Sequence, residues 1–434
     1  MHRTSSLKKY QVLLDGLWMA TNGAGNVSCP FLWHIVPLPS RFNEECVVAA
    51  STDRDDALGL RTTPWLEQLI IAKVRASSCL TADRRKATLR LLPFTFYACR
   101  KALGTVPDRP GAPPGLARRV RELREWMQQH EPRFFDEPQR YVVIIDSSLW
   151  EAFFPRVGGR SALEFIGGWP EAPRLQMLAR ETIAWGEKKE KQAFGHWSGL
   201  LAVPYASLPL VRGRLSRGRA FRRGRAPRLV SRRGRDTLVA AAFSVDAYPF
   251  RQTLLADCRE HSTTLCREHQ IAISDHKRLS AAAGVSQLYR RSDFCLQPPG
   301  DTVTRKGIFD AWGLGCIPVV FSELALSQYA PHLLPNASHL AIVAPTPADP
   351  RPASFPGLGQ PVYTRQYVRL LQAIRDGGGA DMMRERLHRH YWSMQYDGEP
   401  WAAVPPSVRC DALCRAAAAL AERVGTGGRH LIAL

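Results

Sequence analysis

Thr302, Lys306 and Asp310 are spaced four residues apart, and Arg305 adjoins the lysine. A helix over 302–313 would carry the three on one face, with Gly313 near the same stripe to admit a close neighbour. Ile308, Ala311 and Trp312 would lie opposite, as a core face. The preceding turn, Gly300-Asp301-Thr302, leaves backbone N–H groups unbonded at the helix start. Such an end, with its dipole and two cations beside it, suits a phosphate. Asp310, two turns along, could accept from ribose hydroxyls. Together these residues describe a sugar-nucleotide site at the carboxyl end of a strand. Plainer roles exist for the same residues. Asp301 or Thr302 could be a simple N-cap, and Lys306–Asp310 an ordinary ion pair one turn apart.

Other motifs are weaker. Asp53-x-Asp55 follows an apolar run, as a diphosphate–metal motif would, but lies far from the stretch above. His388 and His390 have no Cys or acid at ligand spacing, so no metal site is expected. Ten cysteines are scattered without a Cys-x-x-Cys pair, which argues against a zinc ribbon. Cys258 and Cys266 could be bridged across a helix end. Cys295 and Cys316, flanking the 302–313 helix, read as buried small apolar groups. Asn26 and Asn336 open glycosylation sequons, which matter only on a secretory route.

These residues need a scaffold, and 434 residues suit two domains better than one core. Hydrophobic residues make up 45% and charged residues 23%, a globular balance. The net charge of +20 is uneven: 212–235 holds eleven arginines and no acid. That run cannot bury a core and reads as an exposed insertion. One aromatic, Phe221, gives no stacking pattern, so a nucleic-acid partner is not expected. Strands are expected near 31–37, in the first part of 86–103, and near 140–146, 199–207, 236–244 and 292–297, alternating with helices near 64–79, in the second part of 86–103, and near 116–130, 248–261, 363–376 and 380–396. The alternation predicts two α/β units. Their bounds are 1–30 (lead-in), 31–210 (first domain), 211–235 (Arg-rich linker), 236–400 (second domain) and 401–434 (tail). The apolar stretch 10–20 is too short for a membrane span and makes a poor signal peptide.

"FCLQPPGDTVTRKGIFDAWGLGCIPVVF" (294–321) closely resembles the signature of exostosin-like glycosyltransferases, glycosyltransferase family 47. "LPSRFNEE" (38–45), "RLLPFTFYA" (90–98), "LLAVPY" (200–205) and "FRQTLLADC" (250–258) resemble further elements of that family. "SQYAPHLLPN" (327–336) is most similar to its plant xyloglucan galactosyltransferase branch. The resemblance implies a GT-B fold, two Rossmann-like domains facing across a cleft. It also implies an inverting transferase that takes a nucleotide sugar, usually UDP-linked, without an essential metal or other cofactor. The acceptor would be a polysaccharide or glycoprotein glycan, a partner transferase is possible, and the setting would be the Golgi membrane. Carried over by residue, Gly300, Asp301, Thr302, Thr304 and Arg305 fall on the diphosphate side, followed by Lys306 where the family has a second Arg, with Asp310 on the nucleoside side and Glu323 where many members have an acid. Arg251 is the first basic residue after the 236–244 strand. Ser244 stands where the family usually has Gly, and the N-terminal domain lacks the Gly-x-Asp-His element. These departures favour a second reading, a catalytically silent relative that binds glycan or supports a partner. The general base is open, with His34 and Asp146 near strand ends as candidates.

Overall fold

The computed structural model describes residues 31–50, 65–77, 79–103, 115–145, 166, 169–181, 199–205, 234–244, 249–261, 265–269, 279–299, 303–322, 324–330, 332–333, 340–344, 362–390, 394, 396 and 411–425. The strands form two five-stranded sheets in which every paired neighbour is parallel. The first sheet runs in chain order: β1 (Trp33–Ile35), β2 (Leu89–Leu92), β3 (Tyr141–Ile145), β4 (Gln176–Ala179) and β5 (Leu200–Ala202). Parallel strands buried on both faces read as unbroken apolar runs, and β3, YVVII, is buried along its whole length.

Alternation along β3 divides its side chains between two layers. Tyr141, Val143 and Ile145 join a core with the helices α1 (Glu44–Ala50), α3 (Phe96–Leu103) and α4 (Leu116–His130). Val142 and Ile144 face α2 (Trp65–Arg75) and a helix from the far end of the chain, α11 (Ala412–Gly425). The segment expected to be a tail thus carries a helix that crosses back to the first sheet, where Lys73 grips Asp411 at 2.9 Å. Buried Ala412, Ala416, Ala417 and Leu420 recur at helical spacing and form its inner face.

The second sheet contains β6 (Thr237–Ala241), β7 (Cys266–Glu268), β8 (Ser292–Gln297), β9 (Ile317–Val320) and β10 (Ile342–Val343). Its spatial order is β10-β9-β8-β6-β7. The order reverses between β6 and β8, so the chain leaves these neighbours toward opposite sides. In open parallel sheets, the crevice at such a switch point is where ligands bind. The helices α5 (Pro249–Glu260) and α9 (Val362–Asp376) supply one apolar layer, which Ile308, Phe309 and Trp312 of α7 (Lys306–Gly313) join, while Ala311 of α7 belongs to the opposite layer. On the other face, Val285 and Tyr289 of α6 (Leu279–Arg291) cover Ala240 and Cys295. The helix α8 (Leu324–Ser327) follows β9, and α10 (Gly379–His390) follows α9. Two parallel sheets, with a final helix returning to the first, give the GT-B architecture expected from the sequence.

Three disulfides tie these layers: Cys46–Cys99 joins α1 to α3, Cys258–Cys266 joins α5 to β7, and Cys295–Cys316 joins β8 to the residue before β9. The last corrects the expectation of two free apolar cysteines; β8 and β9 are paired neighbours, which brings the two side chains together. Cys79 and Cys414 are also disulfide-bonded. Among the described residues, no helix is long and apolar enough to cross a membrane. The Arg-rich run lies outside the described residues up to position 233. Its last arginine, Arg235, donates to the carbonyls of Tyr289 (3.1 Å), Ser292 and Leu314 (3.0 Å) and pins the start of β6 to the second domain.

Candidate active site

The helix after β8 begins later than its spacing suggested. Lys306 is its first residue, and Arg305 is an extended N-cap at φ −162° and ψ 156°. Thr302 therefore does not open the described helix, and the expected 302–306–310 face is reduced to Lys306 and Asp310. The extended backbone of Arg305 turns its side chain across the switch point. Its Nη2 donates to the Ala242 carbonyl, just past β6, at 3.4 Å, and its guanidinium lies 5.8 Å from the Phe243 ring centre. Nη1 is buried and, among the described residues, has no hydrogen-bond partner. Burial pushes the guanidinium pKa down, partly opposed by Tyr289 and Asp310.

Arg251, in the first turn of α5, bridges the same crevice. Its Nε donates to the Pro299 carbonyl at 3.0 Å and its Nη1 to the Ser244 carbonyl at 2.9 Å. It is buried and fastens the loop after β6 to the loop after β8. That is a positioning role, and the Ser244 main chain serves it as a Gly main chain would. Gly307, in the first turn of α7, has no room for a side chain. A methyl there would collide with Gln297 Oε1 and lie 3.2 Å from Arg305 Nε. Gln297 ends β8, is 1% exposed, and was not singled out from the sequence.

Lys306 and Asp310 form the plain ion pair weighed from the sequence, with Nζ 2.6 and 2.8 Å from the two carboxylate oxygens. The carboxylate is therefore already occupied on both oxygens. Thr304 is buried before the helix. Gly300, Asp301, Thr302, Glu323 and Asp146 lie outside the described residues, as do Asp53 and Asp55. His34 sits on β1, the edge strand farthest from β5, with Nδ1 3.2 Å from the Thr81 carbonyl. Among the described residues, no group of three or more His, Cys, Asp or Glu side chains is placed to hold a metal ion.

The first domain meets this helix through β4 and β5. The Tyr205 ring lies 5.5 Å from that of Phe309 on α7, and Tyr329, following α8, packs on Phe309 at 5.0 Å. The Tyr329 hydroxyl donates to the Arg180 carbonyl at 2.6 Å, and His332 Nε2 to the Ala202 carbonyl at 3.0 Å. Beside them stands Glu181, a buried carboxylate just past β4 that accepts from the Tyr205 hydroxyl. Burial, and then the Glu181 charge, raise the Tyr329 pKa well above the usual phenol range. Glu181 was not legible beforehand, because the short strand that positions it, QMLA, was not expected.

The family model described as Exostosin GT47 domain matches residues 175–346, from the start of β4 to just beyond β10. Over that stretch the chain is similar to the exostosin GT47 domain. It is 26% identical over 351 residues to "Probable xyloglucan galactosyltransferase GT19" of Arabidopsis thaliana, covering 70% of this chain and 73% of that protein. It is 60% identical over 50 residues to "Xyloglucan-specific galacturonosyltransferase 1" of the same plant, covering 11% of this chain and only 8% of that protein. For a further relative, "Probable xyloglucan galactosyltransferase GT15", the identity is 36% over 93 residues, 21% of this chain and 19% of the relative. The chain thus spans well under two thirds of the length of several relatives it matches.

Proposed function

We propose that the chain is an inverting glycosyltransferase that moves a sugar from a UDP-linked donor to a polysaccharide or glycoprotein glycan. One observation carries the reading: Arg305 holds a buried, unpartnered guanidinium nitrogen at the switch point, beside the start of α7. A buried donor without a partner costs free energy, and an anionic ligand would relieve it. In the reaction, an acceptor hydroxyl attacks the anomeric carbon as that carbon's bond to the diphosphate breaks. The leaving charge falls on oxygens facing Arg305 and the first-turn N–H groups of α7. Such preorganised donors, supplied by the chain itself, are the usual means of stabilising a leaving group. The acceptor's proton must pass to a base on the first domain. Glu181 is a carboxylate that the fold sets at the joint with α7, which favours it over His34 on the far edge strand.

The three disulfides favour an oxidising, lumenal setting, in keeping with the Golgi placement implied by the resemblance. The occupied Asp310 carboxylate favours the second reading, a silent relative that binds glycan, because it would have to leave Lys306 to take a ribose hydroxyl. The test is transfer from a panel of UDP-sugars to xyloglucan oligosaccharides, by the native chain and by Arg305→Ala. Transfer by the native chain that falls about tenfold to a hundredfold in the variant supports the enzyme. A folded native chain that transfers no sugar while still binding glycan would establish the silent relative.

A further inference from the structure

Gln297 is a buried amide with one half of its hydrogen bonding spent and the other half facing the candidate site. Its Nε2 donates to the Tyr289 hydroxyl at 2.9 Å, inside the α6 layer. Its Oε1 is buried, has no partner among the described residues, and stands over Gly307 in the first turn of α7. The unpartnered Nη1 of Arg305 belongs to the residue just before that turn. Two buried and unsatisfied polar atoms at one helix start are unusual, since nearly all such atoms in folded proteins find partners.

The bond to Tyr289 is also arranged inefficiently. The hydroxyl accepts from the amide, and among the described residues its own proton has no acceptor. Turning the amide by a half-rotation repairs both faults. Oε1 then accepts the Tyr289 proton, and Nε2 points over Gly307. The helix start would then display an amide N–H and the Arg305 Nη1–H beside its own backbone N–H groups. That is a set of donors with no acceptor among them, which fits an anion and nothing cationic.

Resting on the donor-site reading above, we propose that Gln297 is a direct ligand of the donor diphosphate, its amide turning toward the phosphate oxygens as the nucleotide binds. Gly307 is the residue that makes room for it. Tyr289 is a positioning residue, because its hydroxyl proton holds the turned amide in place.

The experiment is calorimetric titration of the full chain with UDP and with uridine, for the native protein, Gln297→Glu and Gln297→Met. The glutamate can still accept the Tyr289 proton but sets a negative charge against the diphosphate. The methionine keeps the volume and removes the donor. The expected result is a loss of UDP affinity of about tenfold in Gln297→Met and more in Gln297→Glu, with uridine affinity unchanged. Gln297→Met decides the matter if the buried charge prevents folding. Equal UDP affinity in the native chain and Gln297→Met overturns the role of Gln297 and leaves the donor site standing. Equal losses for UDP and uridine also overturn it, because the amide would then serve the nucleoside. A folded native chain that does not bind UDP refutes the donor-site reading itself.

Discussion

Acid should loosen the joint between the two domains through His332. This side chain is fully buried, donates from Nε2 to the Ala202 carbonyl, and leaves Nδ1 without a partner. Burial pushes its pKa down to about 4; the Ala202 bond opposes the shift, Arg415 adds to it and Asp411 opposes it. In the unfolded chain it titrates near the usual ~6.5. Between those values the unfolded state binds a proton that the folded state refuses, so stability falls as pH falls through this window. Each pH unit inside it is worth up to about 1.4 kcal/mol, which gives roughly 2–2.5 kcal/mol between pH 7 and pH 4.5 from this group alone. The assay is urea unfolding at several pH values, followed by tryptophan fluorescence, for the native chain and His332→Gln. Glutamine can still donate to Ala202 but does not titrate. His332→Gln should be the less stable at pH 7, yet should lose less stability than the native chain on acidification. Identical pH profiles for the two proteins would refute the argument.

Four further outcomes follow from the same contacts. Replacing Cys295 and Cys316 by serine opens a loop closed across 21 residues and should cost about 3 kcal/mol, read as a lower urea midpoint. Arg235→Ala removes three donations to main-chain carbonyls of α6, β8 and the end of α7 and should destabilise the second domain by about 2 kcal/mol in the same assay. Glu181→Gln should lower kcat by about 10²–10⁴-fold, while calorimetry finds UDP affinity unchanged; an unchanged kcat would remove Glu181 from the reaction. Gly307→Ala forces the Gln297 amide aside and should weaken UDP binding, although alanine favours helices over glycine.

The elements that could be read in the sequence were those whose signal is local. YVVII announces a doubly buried strand, and LARRVRELREWMQQH carries its amphipathic period openly. The start of α7 was misplaced by four residues because 302–305 has side chains that a helix tolerates. The extended Arg305 is fixed instead by its reach to Ala242, sixty-three residues earlier. The helix α11 lies in a stretch that reads as a tail although its alanines suit a helix, because the sheet that buries it lies more than two hundred residues away. Gln297 and Glu181 are silent in the sequence for the same reason, and His332 is legible only as part of SQYAPHLLPN. Each matters through partners brought by another element, and a lone Gln or Glu carries no pattern of its own. Arg305 and Arg251 were legible only because the surrounding signature was long. Their separate tasks, one with a free nitrogen and one fastening two loops, come from the crossing of β6 and β8.

The central claim is that the switch point between β6 and β8 holds a donor diphosphate, and a crystal structure of the chain with UDP tests it most directly. The account predicts phosphate oxygens within about 3.2 Å of Arg305 Nη1 and of the first-turn N–H groups of α7. A diphosphate bound elsewhere, with Arg305 Nη1 still unpartnered, would contradict it.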